Sequence, residues 1–400
     1  MFDVETYAII KKRIASGIGG STSGSAINDT EISEDTMLSS QKIVDTVCPP
    51  FSVSGPIVQC TPVENYELGV KVNITPVQEG EGDPSPENVR PIVGWDAVNI
   101  TRCGKNLLDM SDAYVNGYNL TGFKNMLKPG MQYTYTVKSS GGITFRLFAV
   151  TKANTPWGDG QLPLTTSYIK EGKSETFTAP SNIQDFAYIA LAGGTDGIGS
   201  VFPNVEFQLE LGSASTSYEP YRGQTYTIPL GQTVYGGTLD VGTEDSERTV
   251  DVISLAVADM DNSESFPGWQ NQSWITDYVE NINQDSLFAV AADYLASNAD
   301  GNKKLRFNSN FTVYFVASAL GYTQSQIKEQ YPNLVFQFAF RRITPEPFHY
   351  TSTQQILALS GTNTLDADAG DITVTGVSDP GAAIATLQDR LTALENNTLN

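Results

Sequence analysis

Histidine is almost absent from this chain of 400 residues: the single one is His349. A Ser-His-Asp or Cys-His device would have to use it, and it stands in Pro347-Phe-His-Tyr350, an aromatic, strand-like context without a nucleophile motif. It reads as a packed or edge-strand side chain, and no catalytic residue is assigned. Cysteine is scarce as well. Cys48, Cys60 and Cys103 are odd in number and lack Cys-x-x-Cys spacing, so neither a zinc knuckle nor a disulfide framework is indicated. They are expected as free thiols that pack like small apolar groups. Positive charge is short too: 24 Lys and Arg face 45 Asp and Glu, and the formal net charge of -21 repels phosphate backbones and anionic membrane surfaces. Nucleic acid is not an expected partner. Long apolar runs are missing, and no uncharged stretch reaches the length of a membrane span. The opening Met1–Arg13 places its cations after a short apolar run, the reverse of a signal peptide, so membrane insertion and leader-directed export are not expected.

What the chain does contain is an apolar share of 40%, only 17% charge, and Gly 35, Tyr 18 and Phe 18, which suits an ordered, β-rich protein of two or three domains. Strand-like runs alternate with Gly, Pro, Asn and Asp clusters from about Phe51 onward, including Gln132–Lys138, Gly142–Phe148 and Leu334–Phe340. In Asn204–Leu211 the period of two is strict: Val205, Phe207, Leu209 and Leu211 share one face, and Glu206, Gln208 and Glu210 the other. Two short helices are expected in the body. One spans Thr323–Tyr331, capped by Thr323 and stopped by Pro332; the other spans Thr353–Leu359, ended near Gly361.

Both ends carry association signals. Tyr7, Ile10 and Ile14 fall on one face of a short amphipathic helix with Lys11, Lys12 and Arg13 in its last turn, and Ser16–Ser25 is a Gly/Ser linker. At the other end Ile384, Leu387, Leu391 and Leu394 follow the a/d spacing of a coiled coil of barely two heptads. Such a segment aligns chains already joined elsewhere, and a trimer is expected.

Several segments are similar to minor structural and tail-fibre proteins of tailed bacteriophages. They are Leu38–Asp45 with Phe51–Pro56, Gln78–Ile92, Val234–Val241, and Thr353–Ile356 with Gly370–Thr375. Gly104-Lys-Asn-Leu-Leu108 pairs with Phe207–Gly212 and Tyr218-Glu-Pro-Tyr221, and in such proteins this pair resembles the first and last strands of a jelly-roll module like those of carbohydrate-binding domains. The resemblance implies a mainly β fold of tandem β-sandwich, jelly-roll-like domains. It divides the chain into an attachment helix and linker (1–35), a small β domain (36–103), a jelly-roll domain (104–222), a second β-rich domain with the two short helices (223–376) and a coiled-coil tail (377–400). It also implies a place in the virion, with Tyr7, Ile10 and Ile14 on the attachment helix, other virion proteins and copies of itself as partners, and a host-surface glycan as the object of attachment. Thr243–Thr249 is a more charged hairpin than many relatives carry.

A sugar's apolar face stacks on an aromatic plate while its hydroxyls pair with polar neighbours, so tryptophans on Gly-rich loops are the candidate ligand contacts. Trp157 in Thr155-Pro-Trp-Gly-Asp-Gly160 comes first, then Trp269 and Trp274 in Pro267–Trp274; for each, a core or interface role stands beside it. Asp366-Ala-Asp-Ala-Gly-Asp371 has neither the spacing nor the closing Glu of an EF-hand, so it reads as a turn before a strand, and neither metal nor cofactor is assigned. Lys303–Arg306 reads as a positively charged hairpin edge. The expected function is a non-enzymatic fibre or adhesin subunit. A purely architectural subunit is the alternative, and a polysaccharide depolymerase with paired carboxylates the distant one.

Overall fold

A computed structural model describes residues 49–381 apart from 79–90, 110–118, 121, 125, 141–143, 152–154, 157–160, 195–205, 244, 257, 259–275, 279–281, 291–304, 308–311, 316–325, 327–328, 334, 351–353 and 380. The described chain is mainly β, arranged in antiparallel sheets, and helix is limited to short pieces such as the 3₁₀ turn Ile183–Asp185.

One body draws on segments far apart in sequence. Its seven-stranded sheet runs in the order Pro50–Gly55, Gly370–Val377, Gly69–Ile74, Gly236–Val241, Glu247–Ala256, Val335–Pro347 and Ile282–Val290. A four-stranded sheet runs in the order Gly223–Val234, Trp95–Cys103, Asn363–Ala367 and Ile57–Cys60. Alternate side chains of the two sheets meet in one core: Val70, Val72, Leu239, Ile372 and Val374 from the first, and Val98, Ile100, Ile228, Leu230 and Leu365 from the second. These strands alternate because the pleat sends successive side chains to opposite faces, and each buried aliphatic side chain contributes roughly 1.5–3 kcal/mol.

This core corrects the expected division into separate 36–103 and 223–376 domains. Gly69–Ile74 lies hydrogen-bonded between Gly236–Val241 and Gly370–Val377, and Trp95–Cys103 between Gly223–Val234 and Asn363–Ala367, so the two stretches share both sheets. The expected helix over Thr353–Leu359 is also corrected. Its described residues are extended, with Ile356 and Ala358 buried and Leu357 exposed between them. Their backbone pairs with the 65–68 turn through Asn65 N–H to Ala358 O, Ala358 N–H to Tyr66 O and Leu68 N–H to Ile356 O, each 2.9 Å. Burial at a period of two, supported by a long-range partner, overrode the local helix and C-cap signals. In the other expected helix, positions 326, 329 and 330 are helical and Pro332 follows.

The second body lies within 104–222. A three-stranded sheet (Lys173–Thr178, Gln132–Ser139, Glu206–Leu211) and a four-stranded sheet (Gln161–Pro163, Thr144–Val150, Tyr188–Gly194, Gly122–Lys124) enclose their own core. Tyr135, Phe145, Leu147, Ile189, Phe207 and Leu209 are at its centre, with Phe145 edge-on to Phe207 at 4.7 Å between ring centroids. The Glu206–Leu211 strand keeps its two faces, yet on the polar face only Glu206 is exposed. Gln208 and Glu210 are covered by the 213–219 loop, where Glu219 N–H donates to Gln208 Oε1 (2.7 Å) and Thr216 N–H to Glu210 Oε2 (3.1 Å).

The chain leaves the larger body at Cys103 and re-enters it at Gly223, which are partners in register. This makes 104–222 an insertion between two adjacent paired strands. At the junction the side chain of Asn106, itself buried, does the work of a strand: Nδ2 donates to Phe207 O (2.9 Å) and Glu219 O (3.2 Å), while Oδ1 accepts from Leu209 N–H (3.1 Å). Leu107 N–H donates to Leu209 O at 2.9 Å, and Lys105 Nζ sits 3.0 Å from Glu219 Oε1. Between the bodies, Lys128 Nζ lies 2.5 Å from Asp366 Oδ1, both side chains being largely buried, and reaches Ala367 O at 3.3 Å.

Candidate functional site

The larger body carries an open groove of about 870 Å³. Four stretches of chain build it: the 65–69 turn running into Lys71, the strand end and turn at 240–243, the extended segment at 355–357, and Thr375. Asn65 adopts φ 61°, the left-handed region that asparagine tolerates better than most residues, and so turns the chain back toward the 356–358 segment. Gly242 at φ 99° ends the opposite strand. Tyr350 ties that turn down, donating its hydroxyl to Asp240 O (2.7 Å) and accepting Gly242 N–H (2.8 Å).

The charges in the groove are engaged. Lys71 Nζ is 2.7 Å from Asp240 Oδ2, and the hydrogen bond to Asp240, with its negative charge, raises the lysine's pKa. Gln355 Nε2 donates to Glu67 Oε2 at 3.0 Å. Beside these polar groups Leu357 stays 37% exposed, and Tyr66 is half-buried against the core. The arrangement offers amide, carboxylate and hydroxyl groups around a small apolar surface, a composition suited to holding a ligand in one orientation.

The residues singled out in the sequence lie elsewhere. Trp157, Trp269 and Trp274 fall outside the described residues, as do Tyr7, Ile10, Ile14, Ile384, Leu387, Leu391, Leu394 and Cys48. His349 is exposed just beyond the end of the Val335–Pro347 strand. Asp366 and Asp368 do not converge: the first faces Lys128, and the second accepts Asn99 N–H (2.9 Å) and Asn99 Nδ2 (2.7 Å). Among the described residues no His, Cys, Asp and Glu group is arranged to hold a metal ion. Arg306 lies on Leu305–Phe307, an edge strand of a three-stranded sheet; Lys303 and Lys304 are outside the described residues. Cys60 and Cys103 are free thiols, and burial pushes the pKa of each up to about 12.

The groove residues were not singled out from sequence. The local signal available was the Glu64-Asn65 turn; the rest depends on strands and segments paired over long distances in the chain, as Lys71 is with Asp240 and Glu67 with Leu357. No family model matches the chain, and neither the curated proteins nor the solved structures contain a significant match.

Proposed function

We propose that the chain is a non-enzymatic structural subunit of a tailed-phage particle, a fibre or adhesin component that presents β-sandwich domains for attachment to a host-surface glycan. The observation that carries this reading is the meeting of the three jelly-roll-like segments. Gly104–Leu108, Phe207–Gly212 and Tyr218–Tyr221 come together through Asn106 and Lys105 at the base of the inserted body.

The strand order supports the same reading. Leaving aside the two-stranded pair Asn119–Leu120 and Thr155–Pro156, and counting Gly104–Leu108 as a first strand beside Glu206–Leu211, the two sheets of the insertion run 1-8-3-6 and 2-7-4-5, the order expected of a double-sheet jelly roll. In this reading the larger body is the second β-sandwich domain and carries the first as an insertion, Tyr7, Ile10 and Ile14 dock the subunit on other virion proteins, and the Ile384–Leu394 heptads align three copies. Weak binding at each copy then multiplies into adhesion.

Two measurements test it. Light scattering of the purified full chain gives a trimer mass, and a monomer at micromolar concentration removes the fibre reading. Glycan-array and whole-cell binding compare the wild type with Trp157→Ala. Loss of specific binding in the variant places the contact on that loop, whereas no binding by the wild type leaves an architectural subunit.

A further inference from the structure

We infer that the 65–71/240–243/355–357 groove of the larger body is a binding site for a neutral oligosaccharide. The inference rests on the adhesin reading and adds to it a site and a ligand class, in a body other than the one that resembles carbohydrate-binding domains.

Shape is the first argument. A volume of about 870 Å³, partly open to solvent, is within the ~300–1,000 Å³ range of clefts that house small ligands, and the opening lets a chain continue beyond the site. The second argument is rigidity. Lys71, Asp240 and Thr375 stand on hydrogen-bonded strands of the seven-stranded sheet, and the 355–357 wall is fixed to the 65–68 turn by three backbone hydrogen bonds of 2.9 Å. A weak ligand therefore loses little binding free energy to ordering the protein.

Chemistry selects the ligand class. Exposed Leu357 and half-buried Tyr66 give the apolar surface on which a sugar's C–H face rests, while Asn65, Glu67 and Gln355 supply donors and acceptors for its hydroxyls. Anionic sugars are disfavoured. The groove's ammonium, on Lys71, is already held by the largely buried Asp240 carboxylate, and Glu67 adds negative charge at the rim of a chain whose formal net charge is -21. A neutral hydroxylated chain meets neither penalty.

The test uses the full-length protein on an array of neutral hexose and N-acetylhexosamine oligosaccharides beside sialylated and sulfated ones, with Leu357→Asp, Gln355→Ala and Trp157→Ala as variants. The side chains of Leu357 and Gln355 are exposed, so melting temperatures close to wild type confirm that folding is intact. The expected result is binding to a neutral glycan, weakened at least tenfold by Leu357→Asp and severalfold by Gln355→Ala. Wild-type binding that survives both groove substitutions overturns the site while leaving the adhesin reading in place. Binding confined to anionic glycans overturns the ligand class. A wild type that binds nothing on the array or on cells removes both the site and the adhesin reading.

Discussion

The two β bodies are assembled in opposite ways. All the strands of the inserted body fall within 104–222, whereas the larger body pairs Pro50–Gly55 with Gly370–Val377, and the hydroxyls of Ser54 and Thr373, 319 residues apart, share a hydrogen bond of 2.8 Å. Chain order therefore does not divide this protein into domains. A unit that closes over short separations pays little loop entropy, while one that closes over hundreds of residues depends on the insertion not straining its ends. The register of Cys103 opposite Gly223 meets that condition: the insertion starts and finishes at neighbouring points on one sheet.

The largest expected effect comes from breaking the long-range closure. Deleting residues 363–377 removes strands from the interior of both sheets of the larger body, so its calorimetric transition disappears while that of the 104–222 body remains. Retention of both transitions would show that Asn363–Ala367 and Gly370–Val377 are dispensable and would undo the comparison. Core truncations sharpen it. Phe145→Ala in the insertion should cost about 3–5 kcal/mol and Leu239→Ala in the larger body about 2–5 kcal/mol, each lowering mainly its own transition in differential scanning calorimetry.

Smaller still is the link between the bodies. Lys128→Ala leaves Asp366 buried without its cation, an expected loss of about 3 kcal/mol in urea unfolding. The double variant Lys128→Met with Asp366→Leu should recover most of it, because an apolar pair does not have to be desolvated as ions. The smallest effect is on the alkaline side. Burial raises Cys60, Cys103 and Tyr221 to about 12 from ordinary values of 9.0, 9.0 and 10.0. Each group is protonated in the folded state over a range in which the unfolded chain has lost the proton. The stabilisation they contribute is therefore complete below about pH 9 and declines as pH rises toward 12, which denaturation midpoints taken across that interval will show.

Legibility followed the same division. The strands Gln132–Ser139 and Thr144–Val150 could be read as strand-like runs between turn formers, and Glu206–Leu211 from a strict period of two, because both signals are local to the chain. The Thr353–Leu359 segment misled because Gly361 and the polar start of the segment favour a helix locally, while its actual partner, the 65–68 turn, lies almost three hundred residues upstream. The burial of Gln208 and Glu210 was also invisible in alternation: a polar face is read as solvent-facing until a loop such as 213–219 covers it and supplies hydrogen bonds. The groove was the least legible feature, because Glu67, Asp240 and Gln355 belong to segments that meet only through sheet order.

By itself the sequence determined that this is a β protein. Alternating apolar residues, frequent turn formers and a single histidine are properties of composition and short-range spacing, and physics acts on them locally. Only the tertiary structure decided which strands share a sheet, that the described strands before Cys103 and after Gly223 form one core around an insertion, and where the groove opens. Strand pairing is non-local: a strand's residues specify a face and a register but carry no address for the partner, which is chosen by the burial that the whole chain can achieve.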